Sequence, residues 1–255
     1  MDLSGRSVVV TGGNSGIGAA IVRSLAAAGA SVVIDYVAHP EDTADLVKEV
    51  TSGGGRAIGV EADVSTIAGI EKLISTAVDE FGHLDAFVNN AGIEERHTLL
   101  EVDEKTFDHV MAVNLKSAVF GTQRAAKRFI EQGSGGIVVN ISSVHEDWPM
   151  PGNLSYCVSK GGMRMLTRTA GVELGPQGVR VVNVAPGAVD TPINESTMKD
   201  DSLRQKLENS IPLREVADPS EIGGVVAFVI SDAAKYMTAT TVFVDGGIMR
   251  GSVGL

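Results

Sequence analysis

The sequence is poor in the features that mark several large classes of protein. It has a single cysteine, Cys157, so no disulfide can form within the chain and a disulfide-stapled secreted scaffold is excluded. Basic residues are outnumbered, 21 Lys plus Arg against 32 Asp plus Glu, which leaves a formal charge of −11. That field repels phosphate polymers and anionic lipid, so neither nucleic-acid nor membrane binding is expected. No run of about 18 uncharged apolar residues occurs, so no membrane span is expected. Met1-Asp2-Leu3-Ser4-Gly5-Arg6 lacks a basic stretch followed by an apolar one, so no signal peptide is expected and a cytoplasmic protein is the default reading. No His/Cys/Asp constellation has metal-ligand spacing, so no metal is expected.

What is present is a chain of 255 residues, 44% hydrophobic and with 30 glycines, long enough for one sizeable domain. Short runs apolar on successive residues fall at Ser7–Thr11, Ser31–Tyr36, Ala57–Glu61, Leu84–Asn89, Gly136–Ser142, Val179–Val184 and Thr241–Asp245. Such runs suit parallel strands covered on both faces. Helical spacing fills the gaps, at Ile17–Ala28, Ile70–Phe81, Phe107–Phe129, Tyr156–Leu174 and Ile222–Ile230. Gly29, Gly53–Gly55 and Gly82 stand where helices end, and Ser65, Asp103 and Asp218 where N-caps are wanted. The alternation predicts an α/β fold: a single doubly wound domain over residues 1–255, with a seven-stranded parallel sheet and helices on both faces. Gly187–Leu213 breaks the pattern. It is polar, holds Pro192 and Pro212, and lies beyond a strand's carboxyl end, where a substrate lid is expected.

The motifs gather at strand ends. Val8–Gly18 is a strand entering a glycine-rich turn that opens a helix, with G-x-x-x-G-x-G spacing at Gly12, Gly16 and Gly18. Backbone N–H groups at a helix start bind a pyrophosphate where side chains are absent, so Gly12, Asn14, Ser15, Gly16, Ile17 and Gly18 are candidate cofactor contacts. Asp63-Val64 follows the third strand; its carboxylate either accepts from an adenine amino group or caps the next helix. Asn89-Asn90-Ala91-Gly92 ends the fourth strand and shapes a turn on the same side, with Asn90, Ala91 and Gly92 as candidate contacts. Tyr156 and Lys160 stand four apart on a helix, so phenol and ammonium are neighbours. A phenol of pKa near ~10 is a poor acid–base group at neutral pH, and a fixed positive charge favours the phenolate. With three tyrosines in the chain such a spacing also arises by chance, so the pair is read with its neighbours. Ser143 is placed to donate to a substrate oxygen, and Asn114 lies mid-helix, where it either bonds backbone or holds a water feeding protons to Lys160. Pro186-Gly187 turns the chain back, with Val189 and Thr191 toward the cofactor.

Together Thr11–Gly18, Asn89–Gly92, Asn114, Ser143, Tyr156 with Lys160, and Pro186-Gly187 resemble the short-chain dehydrogenase/reductase family in order and spacing, across essentially the whole chain. The resemblance implies an oxidoreductase using NAD or NADP. It makes Tyr156 the catalytic acid/base, Lys160 its tuner and a ribose ligand, Ser143 the group that polarises the carbonyl, and Asn114 part of a proton relay. It also implies a homotetramer, with helices around Val113–Phe129 and Tyr156–Leu174 as dimer faces. Ala91–Glu94, Ile141–Glu146, Ser159–Met163 and Thr191–Asn194 resemble the bacterial glucose dehydrogenase branch, which implies a sugar, alcohol or corresponding carbonyl as substrate. Glu94, Ser143 and His145 are then candidate substrate contacts, with Trp148 and Asn153 where the chain departs from that branch. Asp35 and Tyr36 end the second strand, where an acid binds ribose hydroxyls. Asp35 stands one residue early for that acid, and strand alternation can turn its side chain away. With no base at Asn14 or Ser15, the balance leans to NAD, with dual use open and His39 a candidate for a phosphate. The other readings are a ketone or β-ketoacyl carrier-protein reductase, for which Arg124, Lys127 and Arg128 form a basic patch, and a non-catalytic dinucleotide-binding regulator. Cys157 reads as a packed helix residue.

Overall fold

The structure, a computed structural model, describes residues 1–250. Seven strands, β1 (Ser7–Val10), β2 (Ser31–Tyr36), β3 (Arg56–Glu61), β4 (Ala86–Asn89), β5 (Gly136–Ile141), β6 (Val179–Pro186) and β7 (Thr240–Val244), pair in the order β3-β2-β1-β4-β5-β6-β7. All six pairings are parallel. The nine α-helices among the described residues are α1 (Gly16–Ala27), α2 (Pro40–Ser52), α3 (Ile67–Phe81), α4 (Glu104–Met111), α5 (Ser117–Gln132), α6 (Leu154–Leu174), α7 (Glu195–Met198), α8 (Asp201–Ser210) and α9 (Pro219–Ile230). Winding runs outward from β1 in one direction and from β4 in the other. The crevice above the β1/β4 boundary is therefore the place where such a sheet binds a ligand.

Alternation along the buried strands builds two cores. Val8, Val10, Val32, Ile34 and Val88 face α1 and α9 and pack with Ile21, Leu25, Ile222 and Val226. Val9, Val33, Phe87 and Val138 face α3 and α5 and pack with Leu73, Ala77, Ala125 and Phe129. Each large side chain so buried contributes roughly 1.5–3 kcal/mol. A rigid two-faced sheet results, and it holds the strand ends at fixed heights.

Departures from the sequence expectations have local causes. The cap of α3 is Thr66, whose hydroxyl accepts from Gly69 N at 3.1 Å, and not Ser65. Ser65 is drawn into the preceding turn, donating its N–H to Asp63 Oδ1 at 2.9 Å. The helix expected across Phe107–Phe129 begins earlier, at Glu104, and is interrupted at Ala112–Lys116 by one π-helical turn. The excursion at 187–213 holds α7 and α8, which its polar composition concealed. Asp200 caps α8 by accepting from Ser202 N and Leu203 N. Asp103 and Asp218 cap α4 and α9 as expected, and Asp218 forms a reciprocal capping box with Glu221. Among the described residues no helix is long and apolar enough to cross a membrane.

Candidate active site

The ends of β1 and β4 are stitched together before any ligand is considered. Thr11 Oγ1 accepts from Asn90 N and Ala91 N, each at 2.9 Å, and donates to Val88 O at 3.3 Å. Asn90 Nδ2 returns the bond to the carbonyls of Thr11 and Gly12, at 2.9 and 3.0 Å. Asn90 thus spends its amide on bracing the glycine-rich turn. Gly12 has φ +55°, and an added Cβ there would lie 3.1 Å from Ala91 Cα. A Cβ on Gly18 would stand 2.1 Å from Gly12 O, so the turn closes only without one. Gly18→Ala is therefore expected to cost about 1–3 kcal/mol of stability by overpacking. Its cofactor affinity should fall at least about tenfold (~1.4 kcal/mol); fluorescence titration with reduced cofactor, alongside a melting curve, checks both. Helix α1 carries no side-chain cap at Ser15. Its first amides and its positive dipole end are left for an anion, and this donor set fits a dinucleotide pyrophosphate. Asn14 Nδ2 ties the same turn to Ala38 O and His39 O, at 2.8 and 3.2 Å.

The β6 loop closes the group from the other side. A Cβ on Gly16 would touch Thr191 and Pro192 at 3.5 Å, which places the start of the 187–213 excursion against the glycine-rich turn. Gly187 N donates to Val244 O at 2.9 Å, continuing the Pro186–Val244 pairing, and Val189 is buried in a bridge to Ala217. Asp63 organises the β3 turn through Ser65, and Val64 is buried in the core with Ile70 and Leu73.

Helix α6 brings up the chemistry. Lys160 is 4% exposed, donates Nζ to Ile141 O at 2.8 Å, and lies 5.4 Å from the centre of the Tyr156 ring. Burial pushes Lys160 down to about 8, against the attraction of Glu146. Burial pushes the Tyr156 phenol up to about 12, while a hydrogen bond with Ser143 works the other way and the charge of Glu94 adds to the rise. Ser143 also accepts from His145 N at 3.2 Å. Asn114 sits in the π-helical turn, fully buried, where the widened helix lets both ends of its amide grip Ile93: Oδ1 accepts from Ile93 N at 2.8 Å and Nδ2 donates to Ile93 O at 2.9 Å. Nδ2 also reaches Ser159 Oγ at 3.2 Å. A Cβ on Gly92 would be 3.5 Å from Asn114 Oδ1 and 3.8 Å from Lys160 Nζ, so these three positions meet at one point.

Around the phenol, the His145 ring lies edge-on at 6.3 Å and Trp148 stacks on His145 at 6.5 Å. Glu94 joins this rim, paired with Arg96 Nε at 2.7 Å. Asn153 does not. It is fully buried at the head of α6, with Nδ2 on Met150 Sδ at 3.5 Å, because Asn153 pairs in a β-bridge with His97. Among the described residues no group of three His, Cys, Asp or Glu side chains is arranged to hold a metal.

A phenol, a lysine and a serine beside a glycine-rich turn at a switch point are a constellation that the whole chain shares with known proteins. A family model described as enoyl-(acyl carrier protein) reductase matches residues 12–249. The chain belongs to the short-chain dehydrogenase/reductase family. It is 39% identical to 3β-hydroxysteroid dehydrogenase 1 of Eggerthella lenta over 97% of this chain and 95% of that one. It is 37% identical to glucose 1-dehydrogenase 2 of Bacillus subtilis, over 97% and 96% of the two chains. Its fold matches a gluconate 5-dehydrogenase from Burkholderia cenocepacia, solved with NADP and tartrate, with a TM-score of 0.91 at 30% identity, covering 98% and 97%. Membership makes the protein an NAD(P)-dependent dehydrogenase/reductase.

In this family member Asp35 is not placed to offer an open carboxylate to a ribose. It is 2% exposed, and its Oδ2 accepts from Gly12 N at 3.0 Å. Period-two alternation turns it under the glycine-rich turn, while Tyr36 stays half-buried at the strand end. Burial pushes the Asp35 carboxyl up to about 7; the Gly12 N–H opposes the rise and Asp63 reinforces it. Sequence reasoning also passed over a row of buried polar residues, Asn140, Asn183 and Glu146, below the site. The available signal was the interruption of the apolar runs of β5 and β6 by an asparagine in each.

Proposed function

We propose that the protein transfers a hydride between a nicotinamide dinucleotide and a neutral sugar or alcohol, or the corresponding carbonyl compound. The observation that carries this reading is the convergence of Tyr156, Lys160 and Ser143 on one point beside the uncapped start of α1. Gly12–Gly18, Gly92, Lys160 and Thr191 are the residues that hold the cofactor, which supplies the hydride acceptor or donor when bound. Tyr156 Oη takes the hydroxyl proton in oxidation and returns it in reduction. Ser143 Oγ donates to the substrate oxygen where negative charge develops. Lys160, fixed on Ile141 O, supplies the positive field that favours the phenolate. Asn114 holds the Gly92–Ile93 turn and borders the route by which protons reach Lys160.

Glu94, His145 and Trp148 form the substrate rim, and the carboxylate at Glu94 disfavours anionic substrates. The segment 187–213 covers this rim as a lid, consistent with Thr191 and Pro192 resting on Gly16. NAD is the better fit of the two cofactors. Val37 is exposed beyond β2, and the nearest cation candidate, His39, faces Glu41 at 3.4 Å. A cytoplasmic homotetramer completes the reading; a monomer at micromolar concentration by light scattering after size exclusion would refute that part.

The carrier-protein reductase alternative is poorly supported by α5. Arg124 pairs with Glu71 at 3.2 Å, and Asp79 and Glu131 line the same groove as Lys127 and Arg128. A patch of mixed sign offers an acidic carrier little attraction. The deciding experiment is a panel of sugars, hydroxysteroids, simple alcohols and ketones with both cofactors, followed at 340 nm. Turnover of a neutral hydroxyl compound is expected; cofactor binding without turnover of any member would favour the regulator instead.

A further inference from the structure

Beneath the site a line of polar side chains, buried in the first three, runs across four neighbouring strands. Asn89, Asn140, Asn183 and Thr241 are consecutive partners in the register of β4, β5, β6 and β7. Asn89 Nδ2 donates to Asn140 Oδ1 at 2.8 Å, and Asn140 Nδ2 donates to Thr167 Oγ1 of α6 at 2.7 Å. Thr167 Oγ1 in turn donates to Asn183 Oδ1, and Asn183 Nδ2 donates to Glu146 Oε2 at 2.8 Å. Thr241 Oγ1 donates to Glu146 Oε1 at 2.6 Å. From Asn89 to Asn183 each bond donates toward Glu146, and Thr241 donates to it from the other side. Aligned bonds polarise one another, and this chain delivers its donor ends to one carboxylate.

That carboxylate is fully buried, yet among the described residues the one cation within its ion-pair reach, Arg164, stands 3.9 Å away and also serves Asp147. Two hydrogen bonds and a distant guanidinium leave much of a buried negative charge for another partner. The backbone of Glu146 rests on α6 beside Lys160: its carbonyl lies 3.8 Å from where a Cβ on Gly161 would stand. Lys160 itself has a single hydrogen bond among those described, to Ile141 O. The other titratable or charged groups near Lys160 are Tyr156, Cys157 and Arg164 on α6, His145 and Asp147 on the turn after β5, and Glu94 after β4; from β6 and β7 only the uncharged Asn183 and Thr241 face Glu146.

We propose that Glu146 is a positioning residue for Lys160: a buried counter-charge, held by the oriented chain from β4 to β7, that keeps the lysine protonated and beside Tyr156. Its attraction is the force that opposes the burial penalty on Lys160. The proposal rests on the reading of Tyr156 and Lys160 as the acid–base pair, and its test separates the two. Glu146→Gln is isosteric, and Thr241 can turn its hydroxyl to accept from the new amide, so the fold is expected to hold. In protein labelled with 13Cε-lysine, the Lys160 signal is the one missing from Lys160→Arg. Its titration midpoint is expected to fall by at least one pH unit in Glu146→Gln and to stay near the parent value in Glu146→Asp. The alkaline limb of the turnover profile should move acidward with it, and kcat at pH 8 should drop about tenfold. An unmoved Lys160 midpoint in Glu146→Gln overturns the proposal. A moved midpoint with an unmoved turnover profile supports the counter-charge and sinks the acid–base reading. If Glu146→Gln does not fold, Glu146→Asp decides: a full-unit fall with the charge retained overturns it, and a parent-like midpoint supports it.

Discussion

Tyr156→Phe is expected to lower kcat by ~10²–10⁴-fold, the range that a positioned acid–base group contributes. The substitution removes one oxygen from a half-buried ring and leaves the ring's contact with His145 in place. Cofactor affinity and melting temperature should therefore stay near the parent values, since the glycine-rich turn, Asn90 and Thr11 are untouched. Loss of turnover with retained binding is the signature of a group acting on the reacting oxygen. Steady-state rates at 340 nm, paired with fluorescence titration of the cofactor, read both quantities. A Phe variant that turns over at the parent rate would remove Tyr156 from the mechanism.

Asp35→Asn is expected to stabilise the protein increasingly as pH rises. The native carboxyl is pushed up from 3.8 to about 7, and each pH unit of displacement is worth about 1.4 kcal/mol. The folded state binds this proton more tightly than the unfolded one, so stability is full below pH 4 and is lost as pH rises toward 7. At pH 8 the parent protein carries a cost on the order of 4 kcal/mol that an amide does not. The amide keeps the bond from Gly12 N through its oxygen, but its Nδ2 takes the place of Oδ1, which has no partner. The protonated parent carries its own O–H at the same unpartnered Oδ1, so this orphan donor separates the two little at low pH. The variant should thus be more stable than the parent by up to about 4 kcal/mol at pH 8 and close to it at pH 4. Urea denaturation at several pH values tests this; a difference that does not grow with pH would show that Asp35 is not the titrating group.

The strands and the Tyr156–Lys160 pair were legible because periodicity carries them. Val-rich runs demand a sheet covered on both faces, and a spacing of four on a helix puts phenol and ammonium together. Ser143 was legible from its place just past β5. Less visible was how backbone groups would recruit side chains. Asp35 belongs to the strand pattern, yet whether it meets a ribose or Gly12 N depends on how closely the β1 turn passes over β2. Asn153 is a pocket candidate only through the resemblance to the glucose dehydrogenase branch, and the bridge to His97, distant in sequence, buries it. Asn114 showed as a poor helix former, but only the π-helical turn reveals that it grips Ile93. Helix α7 is only four residues long, and α8 sets just Leu203 and Leu207 among polar residues and buries none, so periodicity had little to report.

The clasp between Thr11 and Asn90 joins positions 79 apart in the chain, and Lys160 reaches back 19 residues to Ile141. A nascent chain therefore assembles its crevice in stages. The glycine-rich turn gains its clasp to Asn90 only after β4 has emerged, the lysine arrives with α6, and Gly187 finds its partner Val244 only once β7 has followed. Long-range parallel pairing is slow to form. The crevice is thus closed by contacts distant in sequence, and a nicotinamide dinucleotide that binds it favours the folded chain over the unfolded one.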